Sequence, residues 1–114
     1  MVDVDRARFD ELVADALDQV PEALAAMMDN VVMQVEDDPP EDGLLGLYEG
    51  VPLTDRGAGY DFVLPDRIRI FRRPLLALCS GEAELVDEIT VTVVHEIAHH
   101  FGIDDARLHQ LGWA

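Results

Sequence analysis

The fold of this protein is decided by one stretch in the last third of the chain, EAELVDEITVTVVHEIAHHFG, residues 82–102. Apolar side chains recur within it at helical spacing, namely Leu85, Ile89, Val93, Ile97 and Phe101. This spacing predicts one long helix over residues 82–101 whose apolar strip faces a core. Ser80 is the predicted N-cap of this helix, and Gly102 is the predicted left-handed residue at its C-terminal end.

Two histidines of this helix, His95 and His99, are four residues apart and therefore lie on one face. Both imidazoles can bind the same metal ion, and Glu96 follows the first of them. This is the HExxH arrangement of zinc hydrolases, in which two histidines bind Zn²⁺ and the glutamate is the general base. The motif predicts a zinc cofactor held by His95 and His99, with Glu96 as the catalytic residue.

A catalytic zinc ion usually has a third protein ligand. No glutamate occurs after Glu96, so the candidates that remain are Asp104, Asp105 and His109. Gly102 allows the chain to reverse sharply just after the helix, which brings a residue about three places later back toward the metal. Asp105 is best placed for this and is the predicted third ligand, with His109 and Asp104 as alternatives.

Further polar residues are candidates for supporting roles. His100 projects about 100° around the helix from His99, so it cannot easily share the same ion and is expected to pack or to form a hydrogen bond. Tyr48, Tyr60 and Arg56 are candidate contacts to the charge that develops on a substrate carbonyl, although a structural role is the more common one for each residue type.

The rest of the chain predicts a small α+β domain spanning residues 1–114. Apolar periodicity predicts a helix over residues 5–19 and a short helical turn over Leu24–Met28. Three strands follow: residues 31–36, Leu44–Tyr48 and Arg67–Phe71, the last alternating charged with apolar side chains between Pro65 and Pro74. The glycine-containing stretch Thr54–Tyr60 is expected to form a mobile loop. The outline is therefore α-β-β-β-α.

Composition excludes several classes of partner. The formal net charge is −16 and all eight basic residues are arginine, so neither nucleic acid nor an anionic membrane is an expected partner. The single cysteine, Cys79, cannot form an internal disulfide and is expected to be a buried apolar residue. The first residues lack the basic start and apolar run of a signal peptide, and a cytoplasmic location is expected.

Beyond these patterns, the chain resembles the short bacterial zincin-like metallopeptidases. The resemblance rests on residues 95–105, 46–53 and 64–68, and it extends over about residues 9–112. It implies a minimal zincin-like fold with an N-terminal helix, a small three-stranded twisted sheet and a long active-site helix. It also implies a peptide or protein substrate that pairs with an edge strand, for which Leu44–Tyr48 is the candidate.

The extended motif HExxHxxGxxD is similar to that of the metzincins, and it aligns at five positions: His95, Glu96, His99, Gly102 and Asp105. Two features depart from the metzincin pattern. Aspartate replaces the commoner third histidine, and all four methionines precede the motif, so the methionine turn is missing. Only nine residues follow Asp105, from which a shallow and open site is expected.

These observations favour a zinc-dependent peptidase. The alternative is a zincin module with little or no catalytic activity that binds zinc and acts in binding or regulation. Retention of Glu96 favours the enzyme, because a structural zinc site needs no adjacent base. Hydrolysis of an amide other than a peptide is a third and weaker hypothesis.

Overall fold

A long helix packed across one face of a three-stranded sheet forms the frame of the molecule. The computed structural model describes residues 1–50, 65–103 and 105–110, except for the side chain of Asp105. The helices described are α1 (Arg6–Asp18), α2 (Glu22–Ala25), α3 (Arg72–Leu78), α4 (Glu82–His100) and α5 (Asp105–Gln110), and a 3-10 turn spans Ala26–Met28. The strands described are β1 (Val31–Glu36), β2 (Gly46–Glu49) and β3 (Asp66–Phe71). This architecture confirms the predicted α+β class.

The order of the described strands in the sheet is β1-β3-β2, so β3 lies in the middle although it is the last of these three strands in the sequence. β1 runs parallel to β3, and β2 runs antiparallel to it with Gly46 opposite Ile70 and Tyr48 opposite Ile68. Among the strands that the structure describes, β2 therefore forms one edge of the sheet. The predicted strand Leu44–Tyr48 lies at this position, with its observed bounds shifted toward the C-terminus by one to two residues.

The two faces of β3 differ in the way that its alternating sequence predicts. Ile68 and Ile70 are fully buried on the face that carries the core. On the opposite face, Arg67 Nη2 and Arg69 Nη1 each lie 2.7 Å from a carboxylate oxygen of Glu49 on β2. Hydrogen bonds from these two guanidinium groups lower the pKa of Glu49. They therefore favour the ionised form of its carboxylate on this face of the sheet.

The core lies between the sheet, α1 and α4. Its buried apolar residues are Val4, Phe9, Leu12, Val13, Ala16, Val20, Leu24, Ile68, Ile70, Leu75, Leu76, Cys79, Leu85, Ile89, Val93, Val94, Ile97, Ala98 and Leu108. The helix predicted over residues 5–19 corresponds to α1, whose N-cap Asp5 accepts a hydrogen bond from the Arg8 backbone N–H at 2.8 Å. Cys79 is buried, and burial raises the pKa of its thiol. Cys79 lies among the apolar side chains of the core, as its predicted role as a buried apolar residue requires.

The segment between β3 and α4 differs from the predicted outline in two ways. It contains the helix α3, which the outline lacks, and Pro74 lies in the first turn of that helix, where its missing N–H would have no intrahelical partner. The prediction that Ser80 is the N-cap of α4 is wrong. Gly81 occupies that position with an extended backbone, and the Ser80 hydroxyl instead lies 3.0 Å from Glu84 Oε2.

Within the described residues, no helix is both long and apolar enough to cross a membrane.

The C-terminal end of α4 is closed by a Schellman motif, which confirms the predicted role of Gly102. Gly102 has a φ of +78°. Its N–H donates to the His99 carbonyl at 3.3 Å, and the Ile103 N–H donates to the Ala98 carbonyl at 2.7 Å. Ile103 then packs against the core. This turn reverses the chain immediately after the histidine pair and directs it toward α5.

Gly102→Ala should lower the free energy of unfolding by about 1 kcal/mol, because a side chain with a β-carbon is strained at positive φ. No heavy atom lies within 4 Å of the added carbon, so the cost is conformational and not steric. Gly102→Asn is the matched control and should lose less, because asparagine tolerates the left-handed region. Urea unfolding followed by circular dichroism measures both. Equal stability of Gly102→Ala and the wild type would contradict this assignment.

Candidate metal centre

The histidine pair of the motif lies on one face of α4, as its spacing predicts. The ring centroids of His95 and His99 are 5.8 Å apart, and the two ring planes are inclined by 21°. His95 is half-buried beside the core-facing side of the helix, whereas His99 is exposed. The two imidazoles therefore lie side by side at the surface of a helix whose neighbouring positions, including Ile97 and Ala98, are buried.

The separation of these rings suits one zinc ion. A tetrahedral zinc bound by one nitrogen of each ring at about 2.0–2.1 Å requires ring centroids roughly 5 Å apart. The observed centroid distance of 5.8 Å is close to that value. Small rotations of the two side chains would therefore bring one nitrogen of each ring to a common ion.

The structure distinguishes only some of the candidate third ligands. His109 lies on α5 and is exposed. Over the described part of the chain, no group of three histidine, cysteine, aspartate or glutamate side chains is arranged to hold a metal ion, so no contact there favours His109 as the third ligand. Asp104 and the side chain of Asp105 lie outside the described residues. Asp105 therefore remains the predicted third ligand.

Glu96, the residue between the two histidines, reaches across to the edge strand. Its Oε1 accepts a hydrogen bond of 2.9 Å from the backbone N–H of Tyr48 on β2. The direction of this N–H follows from the ladder. The Phe71 N–H donates to the Leu45 carbonyl at 3.0 Å, so odd-numbered residues of β2 face β3 and even-numbered ones face away from it. Glu96 is thus held by an amide on the outer side of the sheet edge.

The hydrogen bond between Glu96 and Tyr48 is one step in a regular alignment of α4 with β2. Three pairs of residues meet along the two elements: Gly46 with Thr92, Tyr48 with Glu96, and Gly50 with His100. Four residues of a helix rise about 6 Å, and two residues of an antiparallel strand span about 6.8 Å. The two elements therefore stay in step over two helical turns, and each turn presents one side chain to the strand.

Glycine makes this close alignment possible at both ends. A Cβ added at Gly46 would lie 2.6 Å from Thr92 Cγ2, which is far below any van der Waals contact. A Cβ added at Gly50 would lie 3.2 Å from His100 Cε1. A glycine within a strand often marks such an approach, and this was the available sequence signal for the contact. The partner atoms on the helix could not be identified from the sequence.

The side chain of Tyr48 packs beside the candidate centre. Its ring is stacked on His100 with 3.8 Å between centroids and 18° between planes, and its hydroxyl donates to Asp66 Oδ2 at 2.8 Å. The ring of Phe101 meets both aromatic rings edge-on. The prediction that His100 is a packing residue is thereby confirmed. Arg56 and Tyr60, together with the loop Thr54–Tyr60, lie outside the described residues.

Comparisons with known proteins agree with this architecture. No curated protein sequence matches the chain significantly. A solved structure of a conserved hypothetical protein from Thermus thermophilus is similar over 86% of this chain and 94% of its own, with a TM-score of 0.54 and 22% identity, which shows the fold. A family model described as a zincin-like metallopeptidase matches residues 28–113, a range that contains the whole sheet and α4. The chain therefore belongs to the zincin-like metallopeptidase family.

Proposed function

We propose that this protein is a zinc-dependent peptidase in which His95, His99 and Asp105 bind the metal and Glu96 is the general base. One observation carries the proposal. Glu96, which follows His95 in the sequence, is held on a backbone amide of the sheet edge, with its Oε1 2.9 Å from the Tyr48 nitrogen. A site with a purely structural ion needs no such carboxylate, whereas a hydrolase needs a base in a fixed place.

The chemistry divides between the metal and the chain. Zinc, when bound, supplies Lewis acidity that activates a water molecule and stabilises negative charge on a substrate carbonyl. Glu96 would accept a proton from the attacking water and would transfer it to the leaving amine. The Tyr48 N–H holds one carboxylate oxygen, Oε1, and so orients the other one, Oε2. An acceptor with a fixed orientation is what general base catalysis requires.

The edge strand supports a peptide as the substrate. An extended peptide adds to a sheet edge through backbone hydrogen bonds, and β2 is such an edge among the described strands. Backbone direction alternates along a strand, so Gly46 and Tyr48 direct their backbone groups to the same side of β2. Gly46 is buried and Tyr48 is half-buried, so Tyr48 is the more accessible of the two. A peptide bound along this side would pass the carboxylate of Glu96.

Zinc binding should depend on both histidines. His95→Ala and His99→Ala should each weaken zinc binding by more than about 100-fold, since loss of a residue that only supports a ligand already costs 10–100-fold. Asp105→Ala should do the same, whereas His109→Ala should leave affinity unchanged. Isothermal titration calorimetry with Zn²⁺ measures all four. Wild-type zinc affinity in both histidine variants would exclude the proposed centre. If His109→Ala lost affinity and Asp105→Ala did not, His109 and not Asp105 would be the third ligand.

Glu96→Ala should abolish peptide cleavage while zinc remains bound. A positioned general base typically contributes about 10²–10⁴-fold, so the rate constant for cleavage should fall by at least about 100-fold. A diverse peptide library analysed by mass spectrometry, with zinc content measured in parallel, provides the test. Asp87→Ala removes an exposed carboxylate from the same helix and is the control. Equal cleavage by Glu96→Ala and the wild type would reject the mechanism, and zinc binding without cleavage by either would favour a non-enzymatic module.

A further inference from the structure

The contact between α4 and β2 has a consequence for Glu96 that the motif itself does not contain. Gly46 and Thr92 approach each other too closely to leave room for a side chain at position 46, one helical turn before Glu96 and two strand residues before Tyr48. We propose that Gly46 and Thr92 are positioning residues: their contact sets the distance between helix and strand at which Glu96 reaches the Tyr48 N–H. Its catalytic consequence rests on the proposed peptidase function.

Thr92 presents a fixed methyl group to the strand. Its Oγ1 donates to the Glu88 carbonyl one turn earlier at 2.8 Å, and the residue is buried. This hydrogen bond selects one χ1 rotamer of a β-branched side chain that already has few choices within a helix. The Cγ2 methyl is therefore directed at Gly46 and cannot easily turn away from it.

The strand side of the contact is equally constrained. A Cβ at Gly46 would lie 2.6 Å from Thr92 Cγ2 and also 3.2 Å from the backbone carbonyl oxygen of Arg69 on β3. The added atom would thus be caught between the helix and the central strand. Since the Arg69 carbonyl limits the added atom on its other side, the spacing between α4 and β2 must widen.

The size of this movement decides the fate of the hydrogen bond. Two carbon atoms in contact are separated by about 3.5–4.0 Å, so a contact of 2.6 Å requires an opening of roughly 1 Å. The same displacement one turn further along would lengthen the bond between Glu96 and Tyr48 from 2.9 Å to roughly 3.9 Å, which is beyond hydrogen-bonding distance. Glycine at position 46 is therefore a condition for the orientation of Glu96.

The inference is tested with the wild type, Gly46→Ala, Thr92→Ser and the double variant, with Thr90→Ser and Glu96→Ala as references. Thr92→Ser removes the Cγ2 methyl but keeps the hydroxyl that bonds to Glu88. Thr90→Ser is a matched control, since Thr90 is buried on the same helix and its Oγ1 bonds to the Val86 carbonyl in the same way. The direct readout is the Tyr48 amide, through its nitrogen and proton chemical shifts and its hydrogen-exchange rate, compared with Glu96→Ala.

Gly46→Ala should move the Tyr48 amide resonance toward its position in Glu96→Ala and accelerate its exchange. In peptide cleavage it should lower kcat at least tenfold, with zinc affinity and KM near those of the wild type. Adding Thr92→Ser should move both the resonance and kcat back toward the wild type. Thr92→Ser alone should shift the Tyr48 amide by less than Gly46→Ala does, because the methyl that sets the spacing is lost, whereas Thr90→Ser should resemble the wild type. An effect of Gly46→Ala that came from the Arg69 carbonyl or from the strand backbone, and not from the Thr92 methyl, would produce no such rescue.

Three outcomes would overturn the inference. In the first, the Tyr48 amide of Gly46→Ala is unchanged. In the second, it is shifted but not restored by Thr92→Ser. In the third, Gly46→Ala fails to fold and the double variant fails as well, which would show that Thr92 is not the controlling contact. A double variant that folds with a wild-type Tyr48 amide supports the inference even if Gly46→Ala alone does not fold. If the wild type cleaves no peptide, the proposed function fails, but the amide readout still decides this inference.

Discussion

The hydrogen bond from the Tyr48 N–H to Glu96 joins the two elements on which the candidate centre depends. It is possible because α4 and β2 run side by side with nearly equal repeats, four helical residues matching two strand residues. A displacement of roughly 1 Å would break it, which is small for a helix on a sheet but large for a hydrogen bond. We therefore expect the orientation of Glu96 to be sensitive to packing several residues away.

The histidine pair depends on the same helix in a different way. α4 is anchored by fully buried side chains, among them Leu85, Ile89 and Ile97. Its last turn is closed by the left-handed Gly102 and the packing of Ile103 against the core. Burial on one side fixes the rotation of the helix about its axis, and the closing turn fixes its end. His95 and His99 lie on the part of the surface that these two constraints leave outside the core.

Much of this arrangement could be predicted from local patterns. The apolar strip of α4, the alternation Arg67-Ile68-Arg69-Ile70 and the glycine after the helix each reflect a physical rule that acts within a few residues. The prediction failed where neighbouring positions compete. The predicted outline lacks α3 because Pro74 interrupts its short sequence, although a proline is compatible with the first turn of a helix. Ser80 was predicted as the N-cap of α4, but Gly81 occupies that position. Whether a short helix forms, and which residue begins the next one, depends on the packing of adjacent elements.

The contact with Tyr48 could not be predicted in this way. Its donor is a backbone amide, which every residue except proline possesses, so the identity of the side chain carries no signal for it. It joins residues 48 positions apart and depends on a sheet in which β3, the last of the described strands in the sequence, lies between the other two. Gly46 stands out in the sequence as a glycine within a strand, but the atom that it accommodates became visible only when the helix and strand were placed together.

The most direct test of this account is a crystal structure of the zinc-loaded protein with anomalous diffraction recorded at the zinc absorption edge. We predict one strong anomalous peak about 2.0–2.1 Å from a ring nitrogen of both His95 and His99, with Asp105 as the third protein ligand. Glu96 should remain within hydrogen-bonding distance of the Tyr48 nitrogen in the same crystal. A peak at any other place, or a Glu96 carboxylate turned away from β2, would contradict the account.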